Sequence, residues 1–226
     1  MKAALIAFAK TPRAGAVKTR LTPLLHPDDA AMLYTAFVQD ALAQYRDLDG
    51  VDVRLYVAPP DPFPESLLPE GITLHPQSGA DLGERMLLAF LETFKAGYER
   101  IVIVGTDHPT LPATFIEMAF DTLWERYNVV LGPSEDGGFY LLGMNEFYPA
   151  LFEGMAYSHP DVFNQTVIRA GFTPADLNLL PMWYDVDDEA SLRKLIEEIP
   201  HSDEKIAYTR AAIANLLHQY PSLQCA

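Results

Sequence analysis

Ala3-Ala4-Leu5-Ile6-Ala7-Phe8-Ala9-Lys10-Thr11-Pro12-Arg13-Ala14-Gly15-Ala16-Val17-Lys18-Thr19-Arg20-Leu21 opens as an unbroken apolar run and passes directly into a loop rich in cations. A short apolar run without alternation marks a strand covered on both faces, as inside a parallel sheet. The loop after it carries Lys10, Arg13, Lys18 and Arg20, a single glycine at Gly15, and the hydroxyls of Thr11 and Thr19. Amide donors, mobile ammonium groups and a forked guanidinium are the groups that hold a di- or triphosphate. The loop is not a P-loop, because Val17 rather than glycine precedes Lys18 and the first glycine of that motif is missing. A basic surface loop is the plainer reading of the same charges. The position directly after the first strand argues for an anion site.

Outward from this stretch, apolar strands and amphipathic helices alternate. Asp28 and Asp29 open a helix with an apolar stripe, and Val51 to Val57 reads as a second strand. Leu82 to Tyr98 is expected to be helical, Ile101 to Val104 a buried strand, and Pro112 to about Trp124 a helix. Val129 to Leu131 and Phe139 to Leu142 are two further strands, and His159 to Ala170 a helix. Pro174 to Asp187 holds extended segments, followed by helices over roughly Asp188 to Glu198 and Asp203 to Tyr220. Such alternation predicts a three-layer α/β/α fold with a mostly parallel, Rossmann-like sheet, in one domain over residues 1–226. Ligands of such sheets sit where the strands end at their carboxyl side.

The net charge of −15 disfavours nucleic acid and anionic membrane as partners. Within that acidic chain, Met1 to Pro27 contains no Asp or Glu, which suits a pocket for a small anion. No apolar stretch approaches the ~20 residues of a bilayer span, and no signal peptide is expected at the N-terminus. The one cysteine, Cys225, builds neither a disulfide nor a thiolate zinc site, and a reduced, cytoplasmic setting fits.

Carboxylates at strand ends supply the chemistry. Asp107 closes Ile101-Val102-Ile103-Val104-Gly105-Thr106-Asp107, pointing into the expected crevice. Magnesium needs only one or two carboxylates beside phosphate oxygens. Helix capping ahead of Pro112 is the competing duty, and Thr110 is better placed for it. His108, beside a proline turn, reads as a packing or surface residue. Gln77-Ser78-Gly79-Ala80-Asp81-Leu82-Gly83-Glu84-Arg85-Met86 brings glycines and an arginine to a helix start, a seat for ribose, base or phosphate unless Asp81 simply caps the helix. Glu135, Asp136, Gly137 and Gly138 form an acidic turn usable for an acceptor hydroxyl or a second metal. Asp185 and Asp187, two residues apart, share one face of an extended segment and can share a metal, although Asp187 is the expected cap of the helix that follows.

Taken in order, Phe8 to Leu21, Gly79 to Met86, Gly105-Thr106-Asp107-His108-Pro109 and Glu135-Asp136-Gly137-Gly138-Phe139-Tyr140 resemble a bacterial family of GT-A-type glycosyltransferase homologues of unassigned substrate, the DUF2064 group. That group lies within the nucleotide-diphospho-sugar transferase superfamily, and the resemblance spans Met1 to about Ile199. It implies nucleotide binding by Lys10, Arg13, Gly15, Lys18 and Arg20 on the phosphates and by Gly79, Asp81 and Arg85 at base and ribose. It further implies Mg2+ (or Mn2+) on Asp107, with Asp185 and Asp187 similar to the late Asp-x-Asp of related nucleotidyltransferases. Lys18, Asp107 and Asp136 are then the catalytic candidates. The expected donor is a nucleoside triphosphate or nucleotide sugar, and the expected recipient a small acceptor. Two departures stand out: glycosyltransferases of this fold carry Asp-x-Asp where this chain has Gly105, and nucleotidyltransferases carry a more glycine-rich first loop. Nucleotidyl and glycosyl transfer both remain open, and a non-catalytic nucleotide-sensing module is the alternative of another class.

Overall fold

The computed structural model describes residues 1–125, 127–157 and 159–224; Cys225 lies outside them. Seven strands form one sheet: β1 (Ala3–Lys10), β2 (Val51–Ala58), β3 (Thr73–Pro76), β4 (Arg100–Val104), β5 (Asn128–Pro133), β6 (Phe139–Met144) and β7 (Asp176–Leu179), in the order β3-β2-β1-β4-β6-β5-β7. All neighbours run parallel except at β6, which is antiparallel to both β4 and β5. The expected mostly parallel α/β sheet is therefore present, and β1 lies in its interior, paired with β2 and β4.

The six α-helices cover both faces. Packed on one face are α1 (Pro27–Arg46), α3 (Ala113–Thr122), α5 (Glu189–Glu198) and α6 (Ala207–Gln219), whose Leu33, Phe37, Ile116, Phe120, Leu192 and Ile213 meet Leu5, Ala7, Val102 and Val104. On the other lie α2 (Leu82–Lys95) and α4 (Val162–Ala170), with Met86, Phe90 and Ala170 against Ala4, Ile6, Ile101 and Ile103. Consecutive residues of β1 thus feed opposite cores, which is why its sequence is apolar without alternation. Among the described residues, no helix is long and apolar enough to cross a membrane.

Helix starts depart from the sequence expectations in instructive ways. Pro112 is the N-cap of α3 without a side-chain bond, and Thr110 is buried beside the Tyr184 hydroxyl rather than capping. The cap of α5 is Asp188, in a reciprocal box with Ser191, so Asp187 is released from that duty. The helix α6 has no local side-chain cap. Asp40 of α1 supplies one from across the core, accepting from Tyr208 N at 3.1 Å and Thr209 N at 2.6 Å. The carboxylate thereby satisfies amides that the first turn of a helix leaves open.

Candidate active site

A cavity of about 630 Å³ opens at the carboxyl ends of β1, β2 and β4, lined among others by Phe8, Lys10, Gln77, Arg85, Asp107 and Asp187. At its floor two carboxylates meet one ammonium. Lys18 Nζ donates to Asp107 Oδ1 and, at 2.9 Å, to Asp187 Oδ1. The lysine side chain is 2% exposed, whereas Asp107 and Asp187 keep 38% and 44% of theirs open. Lys18 adopts φ 48°, ψ 38°, a left-handed conformation that non-glycine residues take only where surroundings hold it. Burial alone would lower the lysine, yet the paired carboxylates outweigh it and hold Lys18 above its usual range. Asp107 is the mirror case: burial would raise it, and the Lys18 ammonium holds it below the usual carboxylate range. A main-chain bond from Val186 N to Asp107 O, 3.0 Å, fixes the two carboxylate-bearing segments together.

Asp185 does not join this pair. Its Oδ1 lies 2.9 Å from Nδ1 of His108, whose ring is buried against the edge of Tyr140. His108 Nε2 is sealed from solvent without a partner. The same ring explains Gly105, since a Cβ there would lie 3.2 and 3.3 Å from His108 Cε1 and Nε2. The volume in which an Asp-x-Asp turn would place its first carboxylate is thus filled by imidazole. His108 is neither a surface residue nor mere packing, because it orients Asp185.

Lys10 and Arg20 stand in the cavity wall, as the sequence suggested. Arg13 instead pairs through Nε with Asp61 at 3.0 Å, and Gly15 turns at φ +75° with open space around it; neither lines the cavity. Asp81 caps α2, accepting from Glu84 N at 2.9 Å, and Glu84 accepts from Ala80 N at 2.7 Å. Gly79 passes so close to α2 that a Cβ would meet Arg85 N at 2.8 Å, and Arg85 Nε donates to Gly79 O at 3.2 Å while Arg85 faces the cavity. Of the acidic turn, Asp136 and Gly138 line the cavity, with Gly138 N donating to Asp136 Oδ1 at 2.9 Å. Glu135 turns away to Lys194 at 2.7 Å, and Gly137 lies beneath Pro160.

Sequence reasoning missed the walls between these points. Tyr157, His159 and Pro160 line the cavity from the segment before α4, with Tyr157 lying where any Cβ on Gly83 would collide at 2.3 Å. Gln77 lies just ahead of the Gly79–Arg85 segment, where its sequence position gives no sign of a role. It is buried, donates from Nε2 to Tyr56 O at 3.0 Å and Ala9 O at 3.3 Å, and lines the cavity. A flipped amide would set Oε1 against two carbonyl oxygens, so Nε2 is fixed as their donor and Oε1 remains an acceptor.

The donor set fits a hard divalent cation in one respect: Asp107 and Asp187 offer only oxygen, are brought together by their common partner Lys18 Nζ, and remain partly open. Among the described residues no group of three or more His, Cys, Asp or Glu side chains is assembled, so the remaining ligands of such a cation have to be phosphate or water. Magnesium characteristically binds that way.

This sheet, its carboxyl-end cavity and the cationic first loop define a transferase of the nucleotide-diphospho-sugar transferase class. Comparison with known proteins agrees. A crystal structure of a "putative nucleotide-diphospho-sugar transferase" from Desulfovibrio desulfuricans G20 superposes with a TM-score of 0.90 at 33% identity, covering 98% of both chains. The chain is also 26% identical over 200 residues to a phosphoenolpyruvate guanylyltransferase of Sphaerobacter thermophilus, spanning 86% of this chain and 94% of that relative. CMP:2-keto-3-deoxy-manno-octonic acid synthetase in complex with CTP shares the fold, with a TM-score of 0.57 at 13% identity over 89% of this chain and 99% of that one. The chain belongs to the family described as "Uncharacterized protein conserved in bacteria (DUF2064)", whose model matches residues 41–159.

Proposed function

We propose that the protein transfers a nucleotidyl group from a nucleoside triphosphate, guanosine triphosphate foremost, to a small anionic acceptor, with a divalent cation bound at Asp107 and Asp187. The convergence of those two carboxylates beside a cavity bearing Lys10, Arg20 and Arg85 carries the reading. Three cations in the wall match a polyphosphate and an anionic acceptor together. The guanylyltransferase relative supports nucleotidyl over glycosyl transfer, as does the single aspartate after β4. That relative acts, by its name, on phosphoenolpyruvate, which makes phosphorylated carboxylic acids the first acceptors to test.

In this reaction an acceptor oxygen attacks the α-phosphorus, the bond from that phosphorus to the oxygen bridging to the β-phosphorus breaks, and pyrophosphate leaves. In this reading Lys10 and Arg20, both in the cavity wall, bind the triphosphate oxygens, and Arg85 and His159, also in the wall, orient the acceptor's negative groups. Asp136 receives the proton when the acceptor is a hydroxyl, and no base is needed when it is a phosphate. Asp107 and Asp187 would hold the cation, which would supply charge neutralisation for the polyphosphate. Incubation of the four ribonucleoside triphosphates with an acceptor panel, followed by 31P NMR, tests the proposal. Pyrophosphate release that needs both acceptor and Mg2+ supports it, and Asp107→Asn is expected to lower the rate 100-fold or more, about 2.7–4 kcal/mol of barrier. Consumption of nucleotide sugars with release of nucleoside diphosphate would replace it with glycosyl transfer. Tight nucleotide binding without turnover would leave the sensing module.

A further inference from the structure

Resting on the reading above, we propose that Lys18 is a fixed internal counter-cation that prevents the Asp107–Asp187 pair from retaining a divalent cation until a polyphosphate arrives. The residue looked like a phosphate ligand in the sequence. Its ammonium is instead held beneath the two carboxylates, and Lys18 does not line the cavity. The Tyr34 and Phe37 rings lie 5.5 and 5.7 Å from Nζ, Tyr34 also standing in the cavity wall, and the side chain is 2% exposed, so aromatic surface rather than solvent surrounds the charge. The left-handed backbone at Lys18, directly before the turn Thr19–Leu21 that carries Arg20, sets this inward direction. Lys10 and Arg20 are the cations left facing the cavity from this loop.

The charge count follows from that geometry. Two carboxylates and one ammonium leave a single negative charge on this cluster, and the further carboxylates of the lining, Asp136 and Asp185, are opposed by Lys10, Arg20 and Arg85, so the cavity carries too little net negative charge to hold a hydrated dication by itself. A triphosphate brings the missing negative charge, so cation and nucleotide bind with strong positive coupling. Removing the ammonium has two opposed effects: it relieves repulsion of the dication, and it loosens the convergence of the carboxylates. Repulsion dominates, because the carboxylate segments are also tied by Val186 N to Asp107 O and by Asp187 N to Ser191 Oγ, both 3.0 Å. Neither bond involves Lys18.

Electron paramagnetic resonance of Mn2+ counts the free ion directly and needs no turnover. Wild type is expected to bind Mn2+ alone only at millimolar concentration, and at least tenfold more tightly with guanosine triphosphate than either the protein or the nucleotide alone does. Lys18→Met and Lys18→Gln are expected to bind Mn2+ without nucleotide at least tenfold more tightly than wild type. Lys18→Arg is expected to stay weak, and adding Asp107→Asn to Lys18→Met to abolish the gain. Folded Lys18→Met and Lys18→Gln proteins with unchanged Mn2+ affinity overturn the proposal. So does micromolar Mn2+ binding by wild type alone, a result that needs no variant. If Asp107→Asn changes Mn2+ binding in no background, with or without nucleotide, the metal reading of the site fails as well, and the two failures are told apart.

Discussion

Replacing Gly137 with alanine tests whether the acceptor side of the cavity is assembled by one close contact. Gly137 has φ +87°, and an added Cβ falls 2.0 Å from Pro160 O and 2.6 Å from its carbonyl carbon. These are main-chain atoms, so the segment bearing His159 and Pro160 has to move. It cannot move freely, because Phe163 N donates to Gly137 O at 2.9 Å. The left-handed backbone costs alanine roughly 1–2 kcal/mol. Forcing the segment aside adds about 1–3 kcal/mol, and loss of the Phe163 hydrogen bond about 1 kcal/mol. The stiffer unfolded chain returns roughly 0.4–1 kcal/mol. With local relaxation the net loss is expected near about 3 kcal/mol, a fall in melting midpoint of roughly 6–12 °C for a chain of this size. Gly50→Ala is the control: its φ is +67°, nothing lies within 4 Å of the added Cβ, and only the backbone cost of about 1 kcal/mol applies. Urea unfolding of both variants measures the difference. Equal midpoints would refute the Pro160 contact. If the contact holds, acceptor KM is expected to rise in Gly137→Ala while nucleotide affinity stays near wild type, because the displaced segment carries His159 and Pro160 and none of Lys10, Arg20 and Gln77.

The remaining predictions concern the cap of α6, the base site and the acid limb of stability. Asp40→Ala strips the acceptor from Tyr208 N and Thr209 N and is expected to cost about 1–3 kcal/mol in urea unfolding; a cost within error would show that α6 needs no cap from α1. Gln77 lines the cavity with Nε2 already committed to two carbonyls, which leaves Oε1 as an acceptor, so guanosine triphosphate is expected to bind tenfold or more tighter than inosine triphosphate, which lacks the 2-amino donor. Gln77→Leu should erase that gap in calorimetry, and a gap that survives removes Gln77 from base recognition. For the pH limb, Asp107 is depressed in the fold, so its stabilising contribution is present above its unfolded pKa of about 3.9 and is lost as pH falls below it. Lys18 is raised, so its contribution persists below about pH 10.5 and is lost only above. In EDTA, wild type should therefore weaken from pH 6 to pH 3. Lys18→Met should lose less over that range, since Asp107 no longer gains from ionising beside an ammonium. Parallel curves would contradict the pairing.

Reading the sequence located the sheet well because burial on both faces writes a continuous apolar run, as in Ala3 to Ala9 and Ile101 to Val104, and such runs need no distant context. The strand-end rule then led to Asp107 and to the first loop. It failed wherever a side chain's direction depends on partners far along the chain. Lys18 and Arg13 look alike in the loop, yet one is drawn inward by Asp107 and Asp187 and the other outward by Asp61. Asp187 and Asp188 are adjacent, and the bond from Ser191 N to Asp188 Oδ1 decides which of them caps α5. Asp40 gave no sequence signal at all, because its helix-capping targets lie 168 and 169 residues away. Gln77 was visible as a residue and invisible as a function, since its meaning comes from two carbonyls at strand ends.

The departure at Gly105 ties these observations together. An Asp-x-Asp turn assembles both carboxylates within one strand end, as soon as that turn forms. Here the ring of His108 fills the first position, and the second carboxylate comes from Asp187, 80 residues later and just ahead of α5. The site therefore exists only when the last third of the chain has docked, through Val186 N on Asp107 O and through α5 on the core. Conversely, anything that binds across Asp107 and Asp187 stabilises that docking by mass action. Hydrogen exchange then offers a direct test. Amides of α5 should gain protection with guanosine triphosphate and Mg2+ in wild type, but not in Asp187→Asn. The edge strand β7, which touches neither carboxylate, should serve as the unresponsive reference. Equal gains in both elements would mean that the ligand stabilises the whole fold and that α5 has no special link to the site.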